Sequence, residues 1–171
     1  NPSSLYRKGR EAKVAVDEAR AAVAALIGAN EREIIFTGGG SEADNLAIKG
    51  YMHSKRARGK HMITTKIEHH AVLYTAQRLE KEGFAVTYLD VDRFGRVDPE
   101  ALRAAIRPDT ALVSIMAANN EIGTVQPLEE IGRICREAGV VFHTDAVQAV
   151  GHIEIDVERM NIDMLSMAGH K

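Results

Sequence analysis

Side chains that can do chemistry follow the ends of several short apolar segments in this sequence. His69 follows "MITTKIE", Asn120 follows "VSIMAAN", Asp145 follows "VVFHT" and Lys171 follows "MLSMAGH". A histidine can move protons near neutral pH, a buried carboxylate needs a cation or donors beside it, and an uncharged lysine amine can attack a carbonyl carbon. These residue types at matching positions indicate one shared site.

The segment "IIFTGGGSEADN" places three glycines between an apolar run and a helical pattern. Glycines let the backbone approach a ligand closely, and the free N–H groups of a helix's first turn can bind a phosphate, here with the Ser41 hydroxyl as a further donor. The alternative is a tight turn in which Ser41 is a plain N-cap. The spacing matches neither the dinucleotide fingerprint nor a Walker loop.

The segment "KIEHHAVL" offers Glu68, His69 and His70 after a predicted strand. One histidine here could stack on a flat ligand or transfer protons, and the alternative is a helix start with solvated histidines. A metal site that uses His69, His143 and Asp145 is a further alternative. Adjacent histidines do not have the i, i+4 spacing of a helical zinc pair, so no metal is predicted.

Amide, carboxylate and amine groups follow three further strands. Asn119 and Asn120 either form a turn or aim an amide at a ligand hydroxyl. Asp145, with Gln148 three residues later, either caps the next turn or pairs with a protonated ligand nitrogen. Lys171 is either an exposed strand-end lysine or an amine whose pKa is lowered by desolvation and neighbouring cations.

One ligand requires all of these groups at once. A phosphate requires a glycine-rich helix start, an aromatic ring a stacking partner, a pyridinium nitrogen a carboxylate, a phenolic oxygen an amide, and an aldehyde a lysine. Pyridoxal phosphate has all five features, so the sequence predicts it as the cofactor.

An alternation of strands and helices would position these residues. Helical patterns precede Gly28, Gly83 and Gly139, and Asp98 followed by Pro99 predicts a helix start. The predicted strands are "EIIFT", "HMITT", "FAVTYLD", "TALVSIM", "VVFHTD" and "DMLSM". This order predicts an α/β fold of three layers (α/β/α) with a mainly parallel sheet, whose functional residues lie beyond the carboxyl ends of the strands.

Length and composition limit the class of protein. The 171 residues can bury one substantial core, so a single domain is expected, and a formal charge of −2 gives no electrostatic case for nucleic acid or an anionic membrane. No apolar run approaches the ~20 residues of a membrane span, and the start lacks the apolar region of a secretory signal. The single cysteine, Cys135, excludes an internal disulfide and fits a cytoplasmic location.

Five spaced motifs carry a resemblance to a known family along the whole chain. The sequence resembles the NifS/IscS cysteine desulfurases, in the class V branch of fold-type I pyridoxal-phosphate enzymes. The motifs are "FTGGGSEADNLAIKG", "KIEHHAVL", "NNEIGTVQP", "HTDAVQAVGH" and "AGHK".

At the phosphate end of the cofactor, the resemblance implies that Gly40 and Ser41 hold the phosphate and that His170 lines that side. Lys171 would form the Schiff base with the cofactor and act as a base once the substrate has displaced it. Two positions differ from the family. Ser41 stands where threonine is common, and Ala168 stands where a serine usually donates to the phosphate, which removes a hydrogen bond worth about 1–3 kcal/mol.

At the ring of the cofactor, the resemblance implies that His69 stacks on the ring and assists proton transfer. Asn120 and Gln148 would bond the phenolic oxygen. Asp145 would pair with the ring nitrogen and keep it protonated, so that the ring can accept electrons from the substrate.

The resemblance also implies the reaction and the partners. The enzyme would convert L-cysteine to L-alanine and pass the sulfur to an enzyme cysteine, for iron–sulfur clusters or tRNA thiolation, as a homodimer working with a sulfur-acceptor or scaffold protein. The alternatives are another class V enzyme, such as a selenocysteine lyase or an aminotransferase, and a non-catalytic remnant of the fold.

The ends of the chain predict a fragment. It begins without a methionine, and its last residue is the predicted Schiff-base lysine. We expect residues 1–171 to be the central part of the cofactor-binding large domain, without the N-terminal segment and the C-terminal small domain, and to be inactive in desulfuration on their own. The family's sulfur-accepting cysteine would lie beyond Lys171, and Cys135 is expected to be a packed core thiol.

Overall fold

Five parallel strands form one sheet in the computed structural model, which describes all of residues 1–171. In chain order they are β1 (His61–Thr65), β2 (Ala85–Leu89), β3 (Thr110–Ser114), β4 (Val141–Asp145) and β5 (Met164–Ser166). Across the sheet the order is β2-β1-β3-β4-β5, and every neighbouring pair is parallel. The predicted parallel sheet is confirmed.

The chain also forms five α-helices, four of which pack against the sheet. They are α1 (Arg7–Ile27), α2 (Gly40–Met52), α3 (His70–Lys81), α4 (Pro99–Ala105) and α5 (Leu128–Ala138), with a short 3₁₀ turn at Glu31–Glu33. The predicted boundary signals work as expected. The Asp98 side chain accepts from the Glu100 N–H at the start of α4, while Gly28 and Gly139 end α1 and α5 at φ 69° and 67°. No helix is long and apolar enough to cross a lipid bilayer.

Helices α2 and α3 cover one face of the sheet and α4 and α5 the other, which completes three layers. Successive strand residues point to opposite faces, so Met62 packs with α2 and α3 while Ile63 belongs to the larger core under α4 and α5. Leu112 and Val113 divide in the same way. The chain reverses its direction across the sheet after β2, which places a topological switch point between β1 and β3.

The strand predicted at "EIIFT" does not form. Residues 34–37 form no regular secondary structure and pair with no strand, and Ile35 and Phe36 are 72% and 51% exposed. β-branched and aromatic residues favour a strand only where a neighbour supplies hydrogen bonds and packing. Here the contacts come from Arg20, which donates to the Ile34 carbonyl and lies over the Phe36 ring.

A glycine on α5 predicts a measurable packing effect. A Cβ added at Gly132 would lie 1.8 Å from the Met160 carbonyl oxygen, so Gly132→Ala must push backbone aside. We expect the free energy of unfolding, measured by urea titration, to fall by about 1–3 kcal/mol. Gly50→Ala is the matched control, because a Cβ at this position in helix α2 would have no atom within 4 Å. It should raise the free energy of unfolding by about 0.5–1 kcal/mol. A Gly132→Ala protein as stable as the parent would contradict the close packing.

Candidate active site

The sequence-predicted residues gather at the carboxyl edge of the sheet. Because the strands are parallel, β1, β3, β4 and β5 all end at this edge, and each is followed by one of the predicted segments. Asp145, the last residue of β4, is in register with Ser166, the last residue of β5 and five positions before Lys171.

Asp145 is a buried carboxylate with one hydrogen bond from the chain. It is 5% exposed, and its Oδ1 accepts from the Val147 N–H at 3.0 Å. Burial raises its pKa above the ordinary value, while the Val147 hydrogen bond and the positive charge of a protonated His69 act in the opposite direction. Asp145 therefore caps the next turn, as one reading of the sequence predicted, and still has an oxygen available for a cationic partner.

The glycine turn leads directly into α2. The helix begins at Gly40 with Gly39 as N-cap and no side-chain cap, so the alternative of Ser41 as the N-cap is wrong. The Glu42 carboxylate accepts from the Gly38 N–H at 2.5 Å. A Cβ at Gly40 would lie 2.8 Å from Val147 Cγ2, so any side chain there would displace Val147 or the turn. The N–H groups of the first helical turn have no intrahelical acceptor and remain donors for an anion.

His69 is the N-cap of α3. Its Nδ1 accepts from the Ala71 N–H at 3.2 Å, and its side chain is exposed, as is that of His70. The helix-start reading of this segment is therefore correct for the backbone, but Nε2 of His69 is not used. His69 and Ser41 line the same open depression between α2 and α3.

The proposed metal ligands do not form a cluster. No group of three or more histidine, cysteine, aspartate or glutamate side chains has the arrangement to hold a metal ion. The ring nitrogens of the fully buried His143 lie 2.9 Å from Ser114 Oγ and 3.0 Å from Ser166 Oγ, so neither is available to a metal.

The side-chain amides of Asn120 and Gln148 differ in role from that of Asn119. Asn119 builds the turn, since its Oδ1 accepts from the N–H groups of Glu121 and Ile122 and its Nδ2 donates to the Ile67 carbonyl. Asn120 is exposed and Gln148 is partly buried, and neither side chain hydrogen-bonds within the chain. Both amides remain available to a ligand.

Lys171 and His170 are exposed beyond the end of β5. The Lys171 N–H donates to the Ala168 carbonyl at 3.3 Å, and the Lys171 carbonyl lies 3.1 Å from Nε2 of His152. The exposed position of Lys171 within these residues agrees with the alternative of an exposed strand-end lysine. The residue roles assigned to Lys171 and His170 stay predictions.

Two buried carboxyl groups beside the site, those of Asp44 and Glu68, had no predicted role. Asp44 is 1% exposed and Glu68 5%. Together with Asp145 we call them the buried acids. Burial, and next the charge of Asp145, raises the pKa of Asp44 to about 7. Asp44 falls on the same helical stripe as Ile48 and Met52, and a carboxylate on an apolar stripe is a signal in the sequence that could have revealed it.

Glu68 joins the ends of β1 and β3. Its Oε1 accepts from the Thr65 hydroxyl at 2.7 Å and from the Met116 N–H at 3.0 Å, whereas Oε2 is buried without a hydrogen-bond partner. Burial raises the pKa of Glu68 to about 8, and the two hydrogen bonds offset part of this rise. Glu68 is therefore largely protonated at neutral pH.

Cys135 is a core thiol, as predicted. It is 1% exposed on α5, and burial, with a smaller contribution from Asp163, raises the pKa of its thiol to about 12. A buried thiol that stays protonated is a poor nucleophile.

The sequence and the fold of this chain are similar to those of known proteins. The class-V aminotransferase family pattern matches residues 1–171. Over all 171 residues the chain is 58% identical to a cysteine desulfurase IscS of Methanosarcina thermophila, of which it spans 42%. It is 54% identical to one of Dictyoglomus turgidum, of which it spans 43%. Among solved structures, "SspA in complex with cysteine" superposes with a TM-score of 0.95 at 46% identity, over 99% of this chain and 49% of that one. The chain thus spans less than half the length of these relatives.

The protonation of Glu68 predicts a pH-dependent stability. The pKa rises from the ordinary 4.5 to about 8 on folding, so this group's contribution is fully present below pH 4.5 and is lost as the pH rises through 8. Glu68→Gln removes that loss and keeps the acceptor at Oε1. The variant should become progressively more stable than the parent between pH 5 and 8, by at most about 1.4 kcal/mol per pH unit in urea unfolding.

Glu158→Gln is the control for this experiment, because Glu158 is exposed and its side chain makes no hydrogen bond or ion pair. A difference between Glu68→Gln and the parent that is constant with pH would show that Glu68 does not hold its proton on folding.

Proposed function

Because the chain belongs to the class-V aminotransferase family, we propose that the protein carrying it is a pyridoxal 5′-phosphate-dependent cysteine desulfurase. It converts L-cysteine to L-alanine and transfers the sulfur to a cysteine of the enzyme. The observation that carries this proposal is the position of Asp145, a buried carboxylate with an oxygen left for a cation, beside the glycine turn of α2. The identity to proteins named cysteine desulfurase supports the choice of substrate.

The residues present fit the cofactor. The free N–H groups of the first turn of α2, with the Ser41 hydroxyl, suit a phosphate, and Gly40 has no room for a side chain beside Val147. The Asp145 carboxylate suits a protonated ring nitrogen. Asn120 and Gln148 have amides without partners for a phenolic oxygen, and Lys171 supplies the amine for the aldehyde. Pyridoxal 5′-phosphate bound there supplies an electron sink for the substrate's Cα electrons.

The chain's own groups then bind and move protons. Asp145 holds a positive charge in place because its negative charge is buried and has one fixed hydrogen bond from Val147. The Lys171 amine serves as the base for the Cα proton of the substrate. His69, whose Nδ1 is occupied at the start of α3, has Nε2 free to pass a proton.

The remaining parts of the proposal concern the whole protein. Cys135 is unsuited to accept sulfur, since it is buried and its pKa is raised to about 12, so the acceptor is another cysteine of the protein. We further propose a cytoplasmic homodimer that delivers sulfur to an acceptor or scaffold protein for iron–sulfur clusters or tRNA thiolation.

The amine of Lys171 gives the first test. The complete protein, incubated with pyridoxal 5′-phosphate, should absorb near the edge of the visible range through cofactor bound to this lysine, and should form sulfide and alanine from L-cysteine. Lys171→Ala should abolish that absorbance and lower turnover by about 100-fold or more, because it removes both the attachment point and the base.

Lys81→Ala is the matched control, since Lys81 is an exposed lysine at the end of α3. Turnover of L-selenocysteine or transfer of the amino group to an oxo acid, with none of L-cysteine, would identify a different class V activity. Lack of cofactor absorbance in the parent protein would refute the proposal altogether.

Position 168 gives a second test. Its Cβ lies 3.9 Å from the Cβ that Gly40 would carry, so the side chain of residue 168 faces the proposed phosphate turn. Ala168→Ser would add a hydroxyl donor to a charged phosphate, which is worth about 1.5–3 kcal/mol. We expect the dissociation constant of pyridoxal 5′-phosphate, measured by titration of apoprotein, to fall by about tenfold or more.

Ala138→Ser, on the exposed end of α5, introduces the same hydroxyl away from the site and should leave the dissociation constant unchanged. An Ala168→Ser protein that binds the cofactor no more tightly than the parent would place the phosphate elsewhere.

A further inference from the structure

Asp44 is a buried carboxylate one helical turn after the proposed phosphate turn. It is 1% exposed, and its Oδ1 is buried from solvent without a hydrogen-bond partner, while the Ser166 side chain lies close enough to the carboxyl to lower its pKa. An unsatisfied buried polar atom lowers the stability of the fold. Such a cost without a structural return is typical of a residue retained for the site.

Asp44 lies against β4, on the same face of the sheet as Asp145. Its Oδ1 lies 3.7 Å from Nε2 of His143, which is fully buried and whose pKa is lowered by burial to about 4, so that the imidazole is neutral. His143 is two residues before Asp145 on β4, and alternation places both on the α2 face of the sheet. The charge of Asp145 acts on Asp44, as it also does on Glu68.

The His143 ring is itself fixed between two strands. Its nitrogens lie 2.9 Å from Ser114 Oγ on β3 and 3.0 Å from Ser166 Oγ on β5. Ser166 is the register partner of Asp145. Asp44 therefore lies against a ring that joins β3, β4 and β5, three of the four strands whose ends form the site.

A second contact holds the start of α2 to the same place. A Cβ at Gly40 would lie 2.8 Å from Val147 and 3.9 Å from Ala168, so the first turn of the helix lies against the loops after β4 and β5. Gly40 and Asp44 are four residues apart and share one face of α2. Helix α2 therefore contacts the site at two points, Gly40 and Asp44, which are about one helical turn apart.

From this geometry we propose that Asp44 is a positioning residue: through His143 and its serines it fixes the phosphate-binding turn of α2 relative to Asp145, at the separation that one ligand spans. The inference rests on the proposed function and deepens it. Two groups held at a fixed separation bind a ligand that spans them far more tightly than either part, because the second contact is intramolecular.

The test compares a whole ligand with its parts in the complete protein freed of cofactor. Pyridoxine 5′-phosphate has the ring and the phosphate but no aldehyde, so its binding is reversible and independent of Lys171. Pyridoxine and inorganic phosphate are its two parts. Calorimetry gives the three dissociation constants for the parent and for Asp44→Ala.

Asp44→Ala should raise the dissociation constant of pyridoxine 5′-phosphate by about tenfold or more, because the advantage of joining the two parts is lost. The constants for pyridoxine and for phosphate should each stay within about twofold of the parent values. Asp44→Asn, which keeps the shape and polarity of the neutral carboxyl, should restore binding of the whole ligand. Asp17→Asn, an exposed position on α1, is the control and should change none of the constants.

Ser114→Ala provides a second variant if Asp44→Ala does not fold, since it removes one of the two partners of the His143 ring and should produce the same loss confined to the whole ligand. Equal weakening of all three ligands would make Asp44 a general structural residue and overturn the inference, as would an unchanged constant for pyridoxine 5′-phosphate in folded Asp44→Ala. A parent protein that does not bind pyridoxine 5′-phosphate would overturn the proposed function, and the inference with it.

Discussion

The parallel pairing of β4 with β5 is the interaction on which the site depends. It sets Asp145 beside Ser166 at the carboxyl edge of the sheet, and the segment that leads to Lys171 continues from there. A slip of one residue in β4 would turn Asp145 and His143 toward the α4 and α5 side of the sheet. The burial of Phe142 in the core on that side opposes such a slip, so apolar packing on one face secures polar placement on the other.

The buried acids cannot all carry a charge at neutral pH. Burial disfavours ionisation of each, and the charge of Asp145 further raises the pKa of Asp44 and of Glu68, to about 7 and 8. A backbone hydrogen bond lowers the pKa of both Asp145 and Glu68, but only Asp145 also has the charge of a protonated His69 lowering its pKa. Protons on the other two leave the negative charge at Asp145, which is where a cationic ring nitrogen would need it.

Local signals in the sequence predicted most of the framework correctly, because they report on local physics. Gly28, Gly139 and the Asp98–Pro99 pair mark helix boundaries through backbone conformation and capping, which neighbouring residues decide. "EIIFT" was wrong because strand formation depends on a hydrogen-bonding partner far along the chain, and none lies beside it here. Position in the fold, not residue type, decides that case.

The same difference between local signals and long-range contacts applies to the site residues. The placement of Asp145 and His69 after strands followed from the alternation of elements, whereas the glycine turn follows a segment that forms no strand. Asp44 was missed because helical periodicity describes which face is buried but not what lies opposite. Only the assembled sheet brings Asp44 over His143.

The unsatisfied oxygens of Asp44 and Glu68 show how the domain sustains such a site. Each buried atom without a partner costs about 1–3 kcal/mol, and both lie at the carboxyl edge of the sheet. The two apolar cores lie deeper, on both faces of the sheet, and their burial offsets this cost. Stability and function are thereby separated along the strands: apolar residues such as Leu112 and Val113 hold the sheet together in its middle, and polar residues take over where β3, β4 and β5 end.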